Sequence, residues 1–196
     1  MELIFATNNQ HKLQEVQKLM LGYGITIRSL GEVGCDHETV EDGLTFRDNA
    51  RKKAVEISEI LGKPVVADDT GLCVAALDGG PGVYSNRFAP KGLHCEKLLE
   101  AMAGVTQRDA YFETAVVCIF PDGREIYANG IVEGRITTEK HGDYDFGYDQ
   151  VFFVKEAGKT FGEMTIEEKN GYSHRARAFG AFLEKLKSEQ FEGESS

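Results

Sequence analysis

The chain has 196 residues, 32 of them Asp or Glu and 22 Lys or Arg, giving a formal net charge of −10. A hydrophobic share of 41% with 28% charged residues is that of a folded globular chain and excludes a disordered or collagen-like one. The acidic balance opposes the phosphate-neutralising contacts that bind polymeric nucleic acid, so a small anionic ligand would need a local cationic pocket.

The length fits a single domain over residues 1–196, which a cleft can divide into two lobes. Met1 to Phe5 shows no basic stretch leading into an apolar region, and no segment approaches the roughly 18 apolar residues of a membrane span. A cytoplasmic protein with no membrane partner is expected. Cys35, Cys73, Cys95 and Cys118 form no Cys-x-x-Cys pair and read as buried free thiols.

Leu3 to Thr7 is a short apolar run suited to a buried strand. Polar Asn8-Asn9-Gln10-His11 interrupts it, and Leu13, Val16, Leu19 and Met20 then recur at helical spacing until Gly22 and Gly24. A second helix is expected from Phe46 to about Leu61, with Thr45 and Asp48 spaced as a cap and Gly62 beyond its end. Pro64 to Ala67 reads as another buried strand, closing at Asp68-Asp69-Thr70-Gly71. Tyr111 to Phe120 and Glu125 to Ile136 read as two strands joined by the turn Pro121-Asp122-Gly123. After Val151 to Val154, the residues Ala176, Phe179, Leu183 and Leu186 mark a terminal helix, and Glu189 to Ser196 reads as a frayed tail. The fold class is α/β, with a mixed sheet and helices.

Five groups of residues can carry chemistry. The loop before the first helix can hold an anion on unpaired N–H groups, aided by Lys12, although Asn8 or Asn9 can equally serve only as a cap. Lys53 falls inside the apolar stripe of Phe46, Ala50, Ala54, Ile57 and Leu61, so it points inward, either snorkelling or lining an anion site. Asp68 and Asp69 repel one another unless a cation or a shared proton intervenes. That suits Mg²⁺, with Glu41 as a further ligand, or an aspartic protease built on Asp69-Thr70-Gly71, or a plain strand end in solvent. A single Asp-Thr-Gly among helical periodicities weighs against the protease. Phe146-Gly147-Tyr148-Asp149 can sandwich a heterocycle and read its edge, or form an aromatic core corner. Lys169 and Ser173-His174-Arg175 gather cations before a helix, where the dipole disfavours them, so they either face an anionic or carbonyl-rich group or lie on the surface.

Six blocks in order, Ala6-Thr7-Asn8-Asn9 with Lys12, Gly43 to Phe46 with Asn49-Ala50, Ala67 to Leu72, Gly80 to Ser85 with Arg87, Phe146 to Asp149, and Ser173 to Arg175, resemble the non-canonical purine nucleoside triphosphate pyrophosphatases, the inosine triphosphatase or Ham1-like family. The resemblance implies hydrolysis of ITP, dITP and XTP to monophosphate and pyrophosphate with Mg²⁺, cleansing the nucleotide pool. It also implies an elongated mixed sheet, two lobes around a central cleft, and a homodimer. Carried onto this chain, Thr7, Asn8, Asn9, Gln10, His11, Lys12 and Lys53 hold the triphosphate. Glu41 and Asp69 serve Mg²⁺, with Asp69 also the general base, Asp68 supporting it and Thr70 touching substrate. Phe146, Gly147, Tyr148, Asp149, Lys169, His174 and Arg175 form the base pocket, where cationic donors favour a 6-oxo group over the 6-amino group of adenine. A nucleotide-binding regulator without catalysis is the other reading. Two departures from the family pattern are Asn8, where many relatives carry Gly, and Gln150, where Pro is common.

Overall fold

A computed structural model of the protein describes residues 1–194. In chain order the elements are β1 (Glu2–Phe5), α1 (Gln10–Met20), β2 (Thr26–Ser29), α2 (Phe46–Leu61), β3 (Val65–Val74), α3 (His94–Ala101), β4 (Asp109–Ile119), β5 (Glu125–Ile136), β6 (Phe152–Val154), β7 (Lys159–Thr160), α4 (Ile166–Asn170) and α5 (His174–Glu194). The strands form a seven-stranded sheet in the order β2-β1-β3-β4-β5-β6-β7. β1 runs parallel to β2 and β3, whereas β6 is antiparallel to β5 and β7. The mixed α/β architecture expected from the sequence is therefore present.

The chain forms two compact units. Residues 1–69, 114–130 and those from Arg175 onward make the first, and residues 70–113 and 131–174 the second. In the first unit the strands carry apolar layers on both faces. Leu3, Phe5, Val66, Val116 and Cys118 pack with Val16 and Met20 of α1 and Phe179, Phe182 and Leu183 of α5. Their sequence neighbours Ile4, Ala6, Val65, Ala67, Ala115 and Val117 pack with Ala50, Ala54 and Ile57 of α2. Successive strand residues point to opposite faces, so burial on both sides demands an unbroken apolar run. In the second unit Leu72, Val74, Leu98, Phe112, Val132, Phe152 and Phe161 share one core, with the Phe112 and Phe152 rings 4.6 Å apart.

Local signals explain the helix and turn boundaries. Thr45 caps α2 by accepting from the Asp48 N–H at 3.1 Å, and Gly62 ends it in the left-handed region. Gly123, at φ 89°, supplies the left-handed position of the turn between β4 and β5. Two expectations need correction. β1 stops at Phe5 instead of Thr7, because the segment from Thr7 to Asn9 bends into the cap of α1. β3 does not close at the acidic pair but continues to Val74, because the buried carboxylates find partners on both faces and nothing in Asp-Asp-Thr-Gly breaks an extended backbone. β2 and α3 carry no strong sequence signal, the former being four residues long and the latter opening at Leu93 without a side-chain cap.

α5 runs to Glu194, so the tail expected over 189–196 overlaps its last turns, with Ser195 and Ser196 outside the described residues. All four cysteines are buried and free. Among the described residues no helix is long and apolar enough to cross a membrane. Asn8 does not adopt a positive φ, Asp78 being the only non-glycine residue described that does, so Asn in place of Gly introduces no backbone strain there. Gln150 secures its own segment, its Nε2 donating to the Gly142 carbonyl at 2.7 Å.

Candidate active site

The odd–even alternation of β3 decides what its two acids do. Asp68 shares a face with Val66 and meets α1 and α5, whereas Asp69 shares a face with Val65 and Ala67 and meets α2. The neighbouring carboxylates thus enter different environments.

Asp68 has no exposed surface. Its Oδ1 accepts from Lys12 Nζ and its Oδ2 from Arg175 Nε, each at 3.2 Å. Burial alone would raise its pKa, but Lys12, Arg175 and Lys53 outweigh that and hold the carboxyl well below the ordinary range. The Lys12 pKa is lowered, because burial and the nearby cations Arg175 and Lys53 together exceed the pull of Asp68. Arg175 also pairs with Glu15 of α1, itself fully buried, and those two carboxylates keep the guanidinium charged against burial. Arg175 lies in the first turn of α5, where the dipole disfavours cations, and these anions offset that cost.

Asp69 is 6% exposed and its Oδ2 accepts from Asn49 Nδ2 at 2.9 Å. Its pKa is raised to about 6: burial is the largest cause and the negative charge of Glu41 adds to it, outweighing Lys12, Asn49 and Lys53, which pull it down. Lys53 does point inward. Its Nζ donates to the Asp68 carbonyl at 2.9 Å and pairs with Glu41 at 2.6 Å. Burial works against that charge, but Glu41 and Asp68 win and its pKa is raised. The first unit therefore brings Lys12, Glu41, Lys53, Asp68, Asp69 and Arg175 into one network.

In the loop before α1, Asn9 acts as the cap. Its Oδ1 accepts from the His11 and Lys12 N–H groups at 3.0 and 3.2 Å, while Thr7 Oγ1 accepts from the Asn9 N–H. Two of the helix donors that suggested an anion site are thus already bonded to a side chain. Asn8, Gln10 and His11 are exposed, and Thr7, Asn9 and Lys12 are half-buried.

The second unit holds the aromatic set. Tyr148 is buried, its hydroxyl donating to the Ser85 carbonyl at 2.6 Å, while Phe146 is half-buried and Gly147 exposed. Asp149 and Lys169 form a buried ion pair at 2.7 Å. The Lys169 ammonium lies 5.0, 5.2 and 5.4 Å from the ring centres of Tyr144, Phe146 and Phe161, within cation–π range. His174 stacks on Phe112 at 4.5 Å, so neither it nor Lys169 is the surface cation that their position before a helix also allowed. Thr70, half-buried in β3, is the first residue of this unit.

Arg175 is placed by its ion pairs with Asp68 and Glu15 in the first unit, whereas the rest of the expected base pocket lies in the second. Sequence reasoning missed Glu15 and Asn49 as site residues. Asn49 had a faint signal, lying one helical turn before the inward Lys53. Glu15 had none, because it falls off the Leu13–Val16–Met20 stripe and reads as a surface acid.

Among the described residues no group of three or more His, Cys, Asp or Glu side chains is placed to hold a metal ion. Mg²⁺ commonly uses one or two carboxylates, with substrate phosphates and water completing its shell, so it needs no such group. The charge of Glu41 raises the Asp69 pKa, and that is a repulsion a divalent cation would relieve. The donor set fits Mg²⁺ on those terms.

The sequence pattern of the Ham1 family matches residues 3–185. The dITP/XTP pyrophosphatase of Desulfotalea psychrophila is 45% identical over 180 residues, which cover 90% of this chain and 81% of that protein. The dITP/XTP pyrophosphatase of Bacillus subtilis is 40% identical over 183 residues, covering 90% and 92%. Among solved structures, the Ham1 protein of Staphylococcus aureus superposes with a TM-score of 0.84 at 34% identity, covering 96% of this chain and all of the other. A family pattern that spans nearly the whole chain, relatives of this identity and a shared fold agree that the chain belongs to the Ham1 family.

Proposed function

We propose that the protein hydrolyses non-canonical purine nucleoside triphosphates, dITP, ITP and XTP, to the monophosphate and pyrophosphate with Mg²⁺, and so cleanses the nucleotide pool. The relatives named as dITP/XTP pyrophosphatases support this substrate class. The observation that carries the reading is Asp69, a buried carboxyl with a pKa of about 6 in a network with two inward lysines. A carboxylate with a pKa near the working pH is both sufficiently ionised and sufficiently basic to accept a proton.

In this reading Asp69 takes a proton from water, whose oxygen bonds to the α-phosphorus as the bond to the pyrophosphate oxygen breaks. Lys12, Lys53 and the Thr7 to His11 loop hold the triphosphate. Mg²⁺, held by Glu41 and Asp69, would neutralise phosphate charge and polarise phosphoryl oxygens. Asp68 stays ionised throughout and keeps Lys12 and Arg175 in place. Phe146, Gly147, Tyr148 and Asp149 receive the purine with Lys169 and His174, and Thr70 contacts the substrate. Arg175, besides its two ion pairs, also belongs to this base-reading set. Donors facing a 6-oxo group leave adenine with an unmatched amino group, enough for roughly 10⁴-fold rejection in a site built on hydrogen bonds. The homodimer and the cytoplasmic location belong to the same proposal, and light scattering on the purified protein tests the first.

The deciding experiment incubates the protein with dITP, ITP, XTP, GTP and ATP, with and without Mg²⁺, and identifies the products. Pyrophosphate from the first three, dependent on Mg²⁺, is the expected result. Orthophosphate as product, equal turnover of ATP, or saturable binding without product would overturn it, the last outcome favouring a nucleotide-binding regulator.

A further inference from the structure

Asn49, in the first turn of α2, has no exposed surface. Its Oδ1 accepts from the backbone N–H of Gly43 at 2.7 Å and its Nδ2 donates to Asp69 Oδ2 at 2.9 Å. A backbone N–H can only donate, so Gly43 determines which end of the amide is oxygen, and a donor must then face Asp69. Gly43 lies two residues after Glu41 in a segment without regular structure. Its φ is not positive, so backbone conformation does not call for glycine. A Cβ there would sit 2.6 Å from Asn49 Oδ1 and 2.9 Å from the Asp48 Cβ. The close approach of this amide is what excludes a side chain at position 43. Nothing in α2 itself asks for asparagine at 49, since Thr45 already caps the helix through Asp48 and alanine is the better helix former.

We propose that Asn49 is a positioning residue for the hydrolysis. It ties the Glu41-bearing segment, through the Gly43 amide, to the carboxylate of Asp69, and so sets the two acids in register with each other. This rests on the function proposed above and assigns a task to two residues which that reading leaves without one. Misplacing a reacting group by about an ångström can cost on the order of 10²-fold in rate. Losing the tie should therefore lower kcat while leaving nucleotide affinity, which other residues supply, nearly intact.

The test compares wild type, Asn49→Ala, Gly43→Ala and the double variant by steady-state kinetics on dITP. Thermal melting serves as the fold control, and NMR follows exchange of the Gly43 amide in the metal-free protein. We expect each single variant to lose roughly 10- to 100-fold in kcat with KM changed by less than about threefold. The double variant should be no worse than the poorer single, because both cut the same tie. The Gly43 amide should exchange faster in Asn49→Ala. A kcat within about twofold of wild type in folded Asn49→Ala, losses that multiply in the double variant, or unchanged Gly43 exchange would each overturn the proposal. If Asn49→Ala does not fold, Gly43→Ala cuts the tie from the other side and decides alone, retention of kcat sinking the proposal. If wild type releases no pyrophosphate from dITP, the proposed function is what fails, and the exchange measurement still shows whether Asn49 holds Gly43.

Discussion

In the proposed reaction Asp69 is suited to act as a base because burial makes its charge costly, while the Asn49 amide and the lysines keep that cost from silencing it. Turnover should therefore fall as acid protonates Asp69 in a kcat/KM profile on dITP, and bound Mg²⁺ should move that fall below the pH of about 6 that the protein alone sets. Asp69→Asn should lower kcat roughly 10²–10⁴-fold, the usual contribution of a positioned proton acceptor. Stability should move the other way. The folded state favours neutral Asp69, so its ionisation costs stability that begins above its ordinary value near 4 and is complete above about 6. Asp69→Asn should then melt no lower than wild type at pH 8, as differential scanning calorimetry would show. Asp68 has the opposite sign. Its depressed pKa contributes stability that is present above about pH 4 and lost as acid protonates it. Asp68→Asn leaves Lys12 and Arg175 without their buried anion and should cost roughly 3–5 kcal/mol in urea denaturation at pH 7.

On the scale of single elements, α2 was the most legible in the sequence. Its cap, its closing glycine and the inward turn of Lys53 all followed from spacing, because an amphipathic helix in contact with a core must show its period. Thr45→Ala should accordingly cost about 1 kcal/mol, the usual value of such a cap, with the helix otherwise intact. β3 was half legible. Its apolar start announced a buried strand, but its acids looked like a terminus, because charge in mid-strand is foreign to a core unless partners from distant parts of the chain neutralise it. Those partners, Lys12, Asn49 and Arg175, lie 56, 20 and 107 residues away. Glu15 was hidden for the same reason, since only the fold reveals that α1 is also buried on its charged side.

For the molecule as a whole, the α/β class was readable from alternating strand and helix signals, and the family resemblance supplied the candidate site residues that spacing alone left open. The division into two units was not readable in detail, because β3, β4 and β5 each contribute residues to both. Each unit has its own apolar core, so damage to one is expected to act through packing. Leu98→Ala, in α3 and fully buried, should destabilise the protein by roughly 2–5 kcal/mol in chemical denaturation. The placement of Asp68 and Asp69 has a consequence for how this chain can change. Asp68 and Asp69 differ in surroundings through parity, so adding or deleting one residue between Val65 and Ala67 would turn each acid to the opposite face of the sheet. Substitutions can change the surroundings of these acids gradually, but an odd-length indel in that short stretch would take both away from their partners in a single step.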